Sequence, residues 1–231
     1  MLQTLKLRTA LLACALVATS AAEAAESKSR AGEPAFRELY KELVETNTSL
    51  SVGSCTLAAE RMSARLKSAG IEQVQVFTAP DHPREGGLVG TYPGSEPKLK
   101  ALLLLAHIDV VEAKREDWTR DPFVLVEENG SFYARGAVDD KAEAAIWVDT
   151  LMRYAREKFT PRRTIKIALT CGEETAGAFN GAQWLSQNHR DWIDAEFAIN
   201  EGAWGEMDSQ GRRLVMNVQA VRKRRRTIAS K

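Results

Sequence analysis

The 231-residue chain is 44% hydrophobic and 27% charged with a formal net charge of +1, a composition that excludes disorder and allows one sizeable globular core. Arg222, Lys223, Arg224, Arg225, Arg226 and Lys231 crowd basic charge at the end. Acidic residues outnumber basic ones elsewhere, so the body of the chain offers no nucleic-acid surface.

Lys6 and Arg8 precede the apolar run Ala10 to Ala18 and the small residues of TSAAEAA, the pattern of an export signal cleaved after Ala22 or Ala25. A stable membrane span is not expected, because the run is about half of the ~20 residues needed to cross a bilayer. The mature protein is therefore expected to be periplasmic or secreted. LLAC, ending at Cys14, also resembles a lipoprotein signal, although little precedes the cysteine. Cys55 and Cys171 would remain after cleavage. An oxidising compartment permits them to pair, but neither spacing nor context requires it. Cys171 ends an alternating apolar pattern and reads as a small buried residue, and no histidine near it in sequence marks it as a catalytic thiol.

From Pro34 the positions Phe36, Leu39, Tyr40, Leu43 and Val44 keep helical spacing. A second helix is expected from Ser54, its cap, to Ala69, stopped by Gly70. Val74 and Val76 alternate with glutamines as a strand, GGLVGTY predicts another, and residues 101–106 form the most apolar strand. Asn129 and Gly130 between two short runs of strand formers predict a hairpin. A helix starting near Asp139 carries Ala145, Ile146, Leu151, Met152 and Ala155 and ends before Pro161. TIKIALTC alternates as a strand, a helix covers Ala182 to Gln187, AEFAI is a strand ending at Asn200 and Glu201, and RLVMNVQAV alternates as a further strand. The predicted fold class is α/β, with a mixed, mostly parallel sheet covered by helices on both faces.

Ligands of such sheets gather beyond the carboxyl ends of the strands. Four polar clusters fall there: His107 with Asp109, Asp139 with Asp140, Glu173 with Glu174, and Glu201. The steps of 32 residues from His107 to Asp139, 35 to Glu174 and 27 to Glu201 each span about one strand-plus-helix unit. His107 and Asp109 would share a strand face. Carboxylates brought together repel one another unless a cation is present, and one imidazole with several carboxylates suits zinc, manganese or a similar divalent ion. Adjacent glutamates in extended chain point apart, so one of Glu173 and Glu174 can ligate while the other stays free as a general base. Singly each piece is weak: a lone His-x-Asp is ordinarily incidental, a Glu-Glu pair is ordinarily a solvated face, and Asp139 and Asp140 would serve to cap a helix.

AHIDVV, WTRDPF, FYARGAVDDK, TCGEETAG and INEGAWG, in this order, resemble the co-catalytic zinc metallopeptidases of family M-twenty, the aminoacylase, glutamate carboxypeptidase and succinyl-diaminopimelate desuccinylase group. The resemblance runs from about residue 35 to residue 219. It implies a zinc-exopeptidase-like catalytic domain over residues 26–220, with two Zn2+ ions, for which Co2+ or Mn2+ can substitute. It also implies hydrolysis of an amide bond in a small peptide or N-acyl amino acid. By the same resemblance His107 ligates one metal and Asp109 orients it, Asp139 bridges both ions, Glu174 ligates the second, Glu201 completes the first, and Glu173 is the general base.

Family members carry a further histidine after a lid and dimerisation domain, and neither is found in this chain. His82, read as a surface loop residue, and His189, read as lying near a helix end, do not match it. One strong and one weak metal position follow, with impaired activity. Residues 221–231 read as a frameshifted or disordered basic tail. The alternative from another class is a non-catalytic metal-binding or peptide-binding remnant. Trp118 and Phe123 would either wall the approach to the site or belong to the core.

Overall fold

The computed structural model describes residues 31–217; the signal-like segment 1–25 and the basic tail 221–231 lie outside the described residues. The chain divides into units at 1–34 and 35–231, and the second carries the fold. Its elements are helix α1 (Glu33–Glu45), helix α2 (Cys55–Ser68), strands β1 (Val74–Ala79), β2 (His82–Tyr92) and β3 (Leu102–His107), hairpin strands β4 (Val126–Glu128) and β5 (Ser131–Tyr133), and helix α3 (Lys141–Arg156). Then follow strand β6 (Ile165–Thr170), helices α4 (Gly181–Asn188) and α5 (Arg190–Ile193), strand β7 (Phe197–Ile199), and the hairpin β8 (Gly205–Met207) and β9 (Arg213–Met216).

The local signals act as their chemistry requires. The Ser54 hydroxyl accepts the Leu57 N–H at 3.1 Å and starts α2. Asn129 and Gly130 take positive φ of 53° and 74°, as a tight turn between β4 and β5 demands. Leu39, Leu43 and Val44 of α1, Ala58, Ala59, Met62 and Leu66 of α2, and Ala144, Ala145, Val148, Leu151 and Met152 of α3 are all buried. Ile146 falls outside that stripe and is 47% exposed.

The five-stranded sheet has the order β1-β2-β6-β3-β7. β3 runs parallel to both β6 and β7, and β2 runs antiparallel to β1 and β6. The sheet is mixed as expected, with parallel strands at its functional end. Alternation divides its side chains between two layers. Leu104, Ala106, Ile165, Ile167 and Leu169 join the cluster formed with α1, α2 and α3, whereas Leu103, Ala168, Phe77 and Val89 pack with Leu185, Trp184 and Trp192 from α4 and α5. Among the described residues no helix is long and apolar enough to cross a membrane.

Two expectations are corrected. Cys171 is buried, but it is joined to Cys55 in a disulfide with Cα atoms 6.0 Å apart across 116 residues. The sheet brings the end of β6 beside the start of α2, a proximity that spacing could not reveal. His82 does not lie in a loop: it opens β2, stands 2.8 Å from Glu85 and stacks on Phe179.

Lys141, the first residue of α3, is fully buried. Its ammonium donates to the carbonyl of Thr46 at 2.7 Å and, at 3.4 Å, to that of Val44. Burial drives its pKa down to about 7, against an opposing pull from the charge of Asp109. The contact ties the start of α3 to the chain leaving α1, and Lys141→Met strands two carbonyls. Chemical denaturation should show a loss of about 1–3 kcal/mol, and an unchanged midpoint would show that the tie contributes nothing.

Candidate metal centre

The register of β3 against β6 sets His107 opposite Thr170. The loops that leave these two strands therefore start side by side. His107 is 3% exposed at the end of β3. Its Nδ1 lies 3.2 Å from the carbonyl oxygen of Asp109 and 3.5 Å from that residue's carboxylate. Its Nε2 faces outward, 2.9 Å from Asp139, 3.7 Å from Glu201 and 4.0 Å from Glu173. The ring is thus gripped from behind by one aspartate and offers its other nitrogen to a ring of carboxylates.

Asp109 has a second task. Its carboxylate accepts the backbone N–H groups of Glu173 at 3.3 Å and Glu174 at 3.0 Å. One buried side chain therefore registers the β3 end against the glutamate loop that follows β6. That loop turns sharply at Gly172, where φ is +89° and a Cβ would lie 1.6 Å from the Phe179 carbonyl oxygen.

Two groups of donor atoms within 4.8 Å of one another result: His107 with Asp139 and Glu174, and His107 with Asp140 and Glu201. Every site residue singled out from the sequence lies in this neighbourhood. Asp140, grouped with Asp139 from the sequence, joins it as a donor beside Glu201. It occupies the N-cap of α3 but makes no side-chain capping bond. It is buried, and its Oδ2 has no hydrogen-bond partner. Trp118 and Phe123 are half-buried, and the Arg135 guanidinium covers the Trp118 ring at 5.2 Å.

The electrostatics show what the cluster lacks. Burial presses the His107 imidazole toward its neutral form, yet the hydrogen bond and charge of Asp109, with Asp140 and Glu201, raise its pKa to about 10. Burial and the charge of Glu143 push Asp140 up to about 8. Burial raises Glu174 and Glu201 too, and Asp139's charge adds to both. Asp109 goes the other way: burial would raise it, but His107 and the two backbone N–H groups hold it below the usual carboxylate range. Carboxyl groups whose pKa is raised around a single imidazole mark a concentration of negative charge that a cation would offset. The oxygen and nitrogen donors, with the orphaned Oδ2 of Asp140, fit a divalent cation.

Comparison with known proteins agrees with this geometry. Residues 103–215 match Peptidase family M20/M25/M40. The human N-fatty-acyl-amino acid synthase/hydrolase PM20D1 is 36% identical over 115 residues, 49% of this chain and 22% of that one. Pig (Sus scrofa) aminoacylase-1 is 28% identical over 184 residues, 79% of this chain and 44% of that one. The chain thus spans less than half the length of these relatives. Among solved structures, the M20 family metallo-carboxypeptidase Sso-CP2 of Sulfolobus solfataricus superposes with a TM-score of 0.62 at 22% identity. The match covers 77% of this chain and 39% of that one, a likeness of fold. The motifs, the strand-end geometry and the matched segment lead to one conclusion: residues 103–215, just under half of the chain, carry the pattern of peptidase family M20/M25/M40.

Proposed function

We propose that the chain is the metal-carrying part of a hydrolase that cleaves the amide bond of a peptide or an N-acyl amino acid. The observation that carries this reading is the buried imidazole of His107 surrounded by Asp139, Glu174, Asp140 and Glu201 at the carboxyl ends of parallel strands. The printed names of the relatives, an aminoacylase and an N-acyl-amino acid hydrolase, favour the same substrate class. Zinc is the ion that the donor set favours, with Co2+ and Mn2+ as substitutes.

His107, Asp139, Asp140, Glu174 and Glu201 would hold the metal, with His107 common to the two donor groups. When bound, divalent metal polarises the scissile carbonyl and acidifies the attacking water. The remaining work belongs to side chains. Asp109 keeps Nδ1 of His107 occupied so that Nε2 faces the ion, which fixes the orientation and raises the basicity of the ligand. Glu173 is more exposed than its neighbour and lies 4.0 Å from His107. It is placed to take the proton from the attacking water and return it to the leaving amine.

Among the described residues the two donor groups share one imidazole, so zinc titration of the chelator-treated 231-residue chain should show one tight equivalent. A second should bind at least about tenfold more weakly, since two carboxylates alone hold zinc loosely. Two equally tight sites, or none, would count against the assignment, and His107→Ala should remove the tight one. Glu173→Gln should lower kcat of the hydrolytically active protein by about 10²–10⁴-fold and leave the metal content unchanged. Full turnover in that variant removes Glu173 from the role of base.

We also propose export from the cytoplasm, supported by the signal-like residues 1–25 and by the Cys55–Cys171 disulfide, a bond that persists in oxidising compartments. N-terminal sequencing of the protein recovered outside the cytoplasm should begin at Glu23 or Glu26. An intact Met1 on cytoplasmic protein would refute it.

A further inference from the structure

We infer that the Cys55–Cys171 disulfide is a positioning element of the metal centre, fastening the loop that presents Glu173 and Glu174 to His107. The inference rests on the hydrolytic reading of that centre. Cys171 directly follows β6 and stands two residues before Glu173, so little chain separates the covalent bond from the two carboxylates.

The far end of the bond is firmly set. Cys55 is the first residue of α2, and the chain around it is stitched to its surroundings. The Ser54 N–H donates to the Asn47 carbonyl at 2.9 Å, the Thr56 hydroxyl donates to the Pro83 carbonyl at 2.7 Å, and the Gly86 N–H donates to the Thr56 oxygen at 3.0 Å. Ala58, Ala59 and Met62 of the same helix are fully buried. α2 and the start of β2 are thus an anchor.

The glutamate loop has little packing of its own. Glu173, Thr175, Ala176 and Gly177 are exposed. At its neck the Gly181 N–H donates to the Cys171 carbonyl at 2.7 Å, and the Asn180 amide donates to the Gly172 carbonyl at 3.1 Å. Both bonds close the loop on itself and do not fix where the closed loop sits. Its placement comes from three sides: the Asp109 carboxylate receiving the Glu173 and Glu174 N–H groups, the disulfide to α2, and, farther along the loop from the glutamates, Phe179 stacked on His82. Asp109, Cys55, Cys171, Gly172 and Thr175 line one small cavity, so the first two restraints act on the same few residues. Only Gly172 separates Cys171 from Glu173, and its backbone runs so close to Phe179 that a Cβ there would lie 1.6 Å from the Phe179 carbonyl oxygen. A shift of Cys171 therefore passes directly to the glutamates, whereas His107, on β3, keeps its place through the Ile108 N–H to Thr170 carbonyl bond at 2.8 Å.

Amide hydrogen exchange on the whole 231-residue chain tests this. It compares the oxidised protein, the same protein reduced with a phosphine, and Cys55→Ala/Cys171→Ala, with zinc titration in parallel. Loss of the bond should speed exchange of the Glu173 and Glu174 amides by about tenfold or more through local opening. The β4–β5 hairpin amides should keep their rates, and zinc affinity should fall by about 10–100-fold, as for other groups that support ligands. Unchanged exchange at the two glutamates would overturn the proposal. So would one common acceleration at all amides, or unfolding on reduction, because the bond would then act on the fold as a whole. If the double variant fails to fold, the reduced wild-type chain supplies the comparison. Absence of zinc binding by the oxidised chain would defeat the metal reading alone, while the exchange rates would still decide the clamp.

Discussion

One imidazole among many carboxylates is the constraint around which this structure is arranged. Asp109, Asp139, Glu173 and Glu201 all approach the His107 ring within 4.0 Å, and Asp140 and Glu174 complete the group. Like charges so close cannot all remain ionised in a partly buried site. The strain appears as displaced proton equilibria, with His107 raised to about 10 and Asp140 to about 8. A divalent cation at this cluster would offset that charge. The same repulsion means that the scaffold must hold the groups together before any ion arrives.

That scaffold uses each strand end once. β3 carries His107, and β6, in parallel register beside it, leads to the glutamate pair. β7, on the other side of β3, leads to Glu201, and the N-terminus of α3 brings Asp139 and Asp140. Asp109 links two of these by accepting from the glutamate loop while facing His107. Lys141 fastens a third through the carbonyls of Val44 and Thr46. These two buried charged residues do not cover apolar surface; they fix the relative positions of loops. The disulfide lines the same small cavity as Asp109.

Much of this was legible in the chain. The apolar run of residues 101–106 and the alternation in TIKIALTC marked strands β3 and β6. The Ser54 cap and Gly70 bounded α2 to within one residue at each end, and Asn129-Gly130 marked the hairpin. His107, Asp109, Asp139, Glu173, Glu174 and Glu201 stood out because their spacing matched strand-plus-helix units and their motifs resembled one family. These are local or periodic properties, and a strand end is a local property too.

What the chain alone left open was long-range. Cys55 and Cys171 are 116 residues apart, and only the sheet order, which sets β2 between β1 and β6, brings the anchor of α2 to the end of β6. Asp139 and Asp140 read either as part of the polar cluster or as helix caps, and the packing of α3 buries Asp140 beside His107 without a capping bond. His82 read as a loop residue, but pairing of β2 with β1 extends the strand to it. Residue type and spacing thus determined which donor groups the chain carries and at which strand ends. Tertiary structure decided which groups share a charge and which loops are fastened, because side-chain proximity across the sheet depends on strand order and register, quantities that no local stretch of sequence encodes.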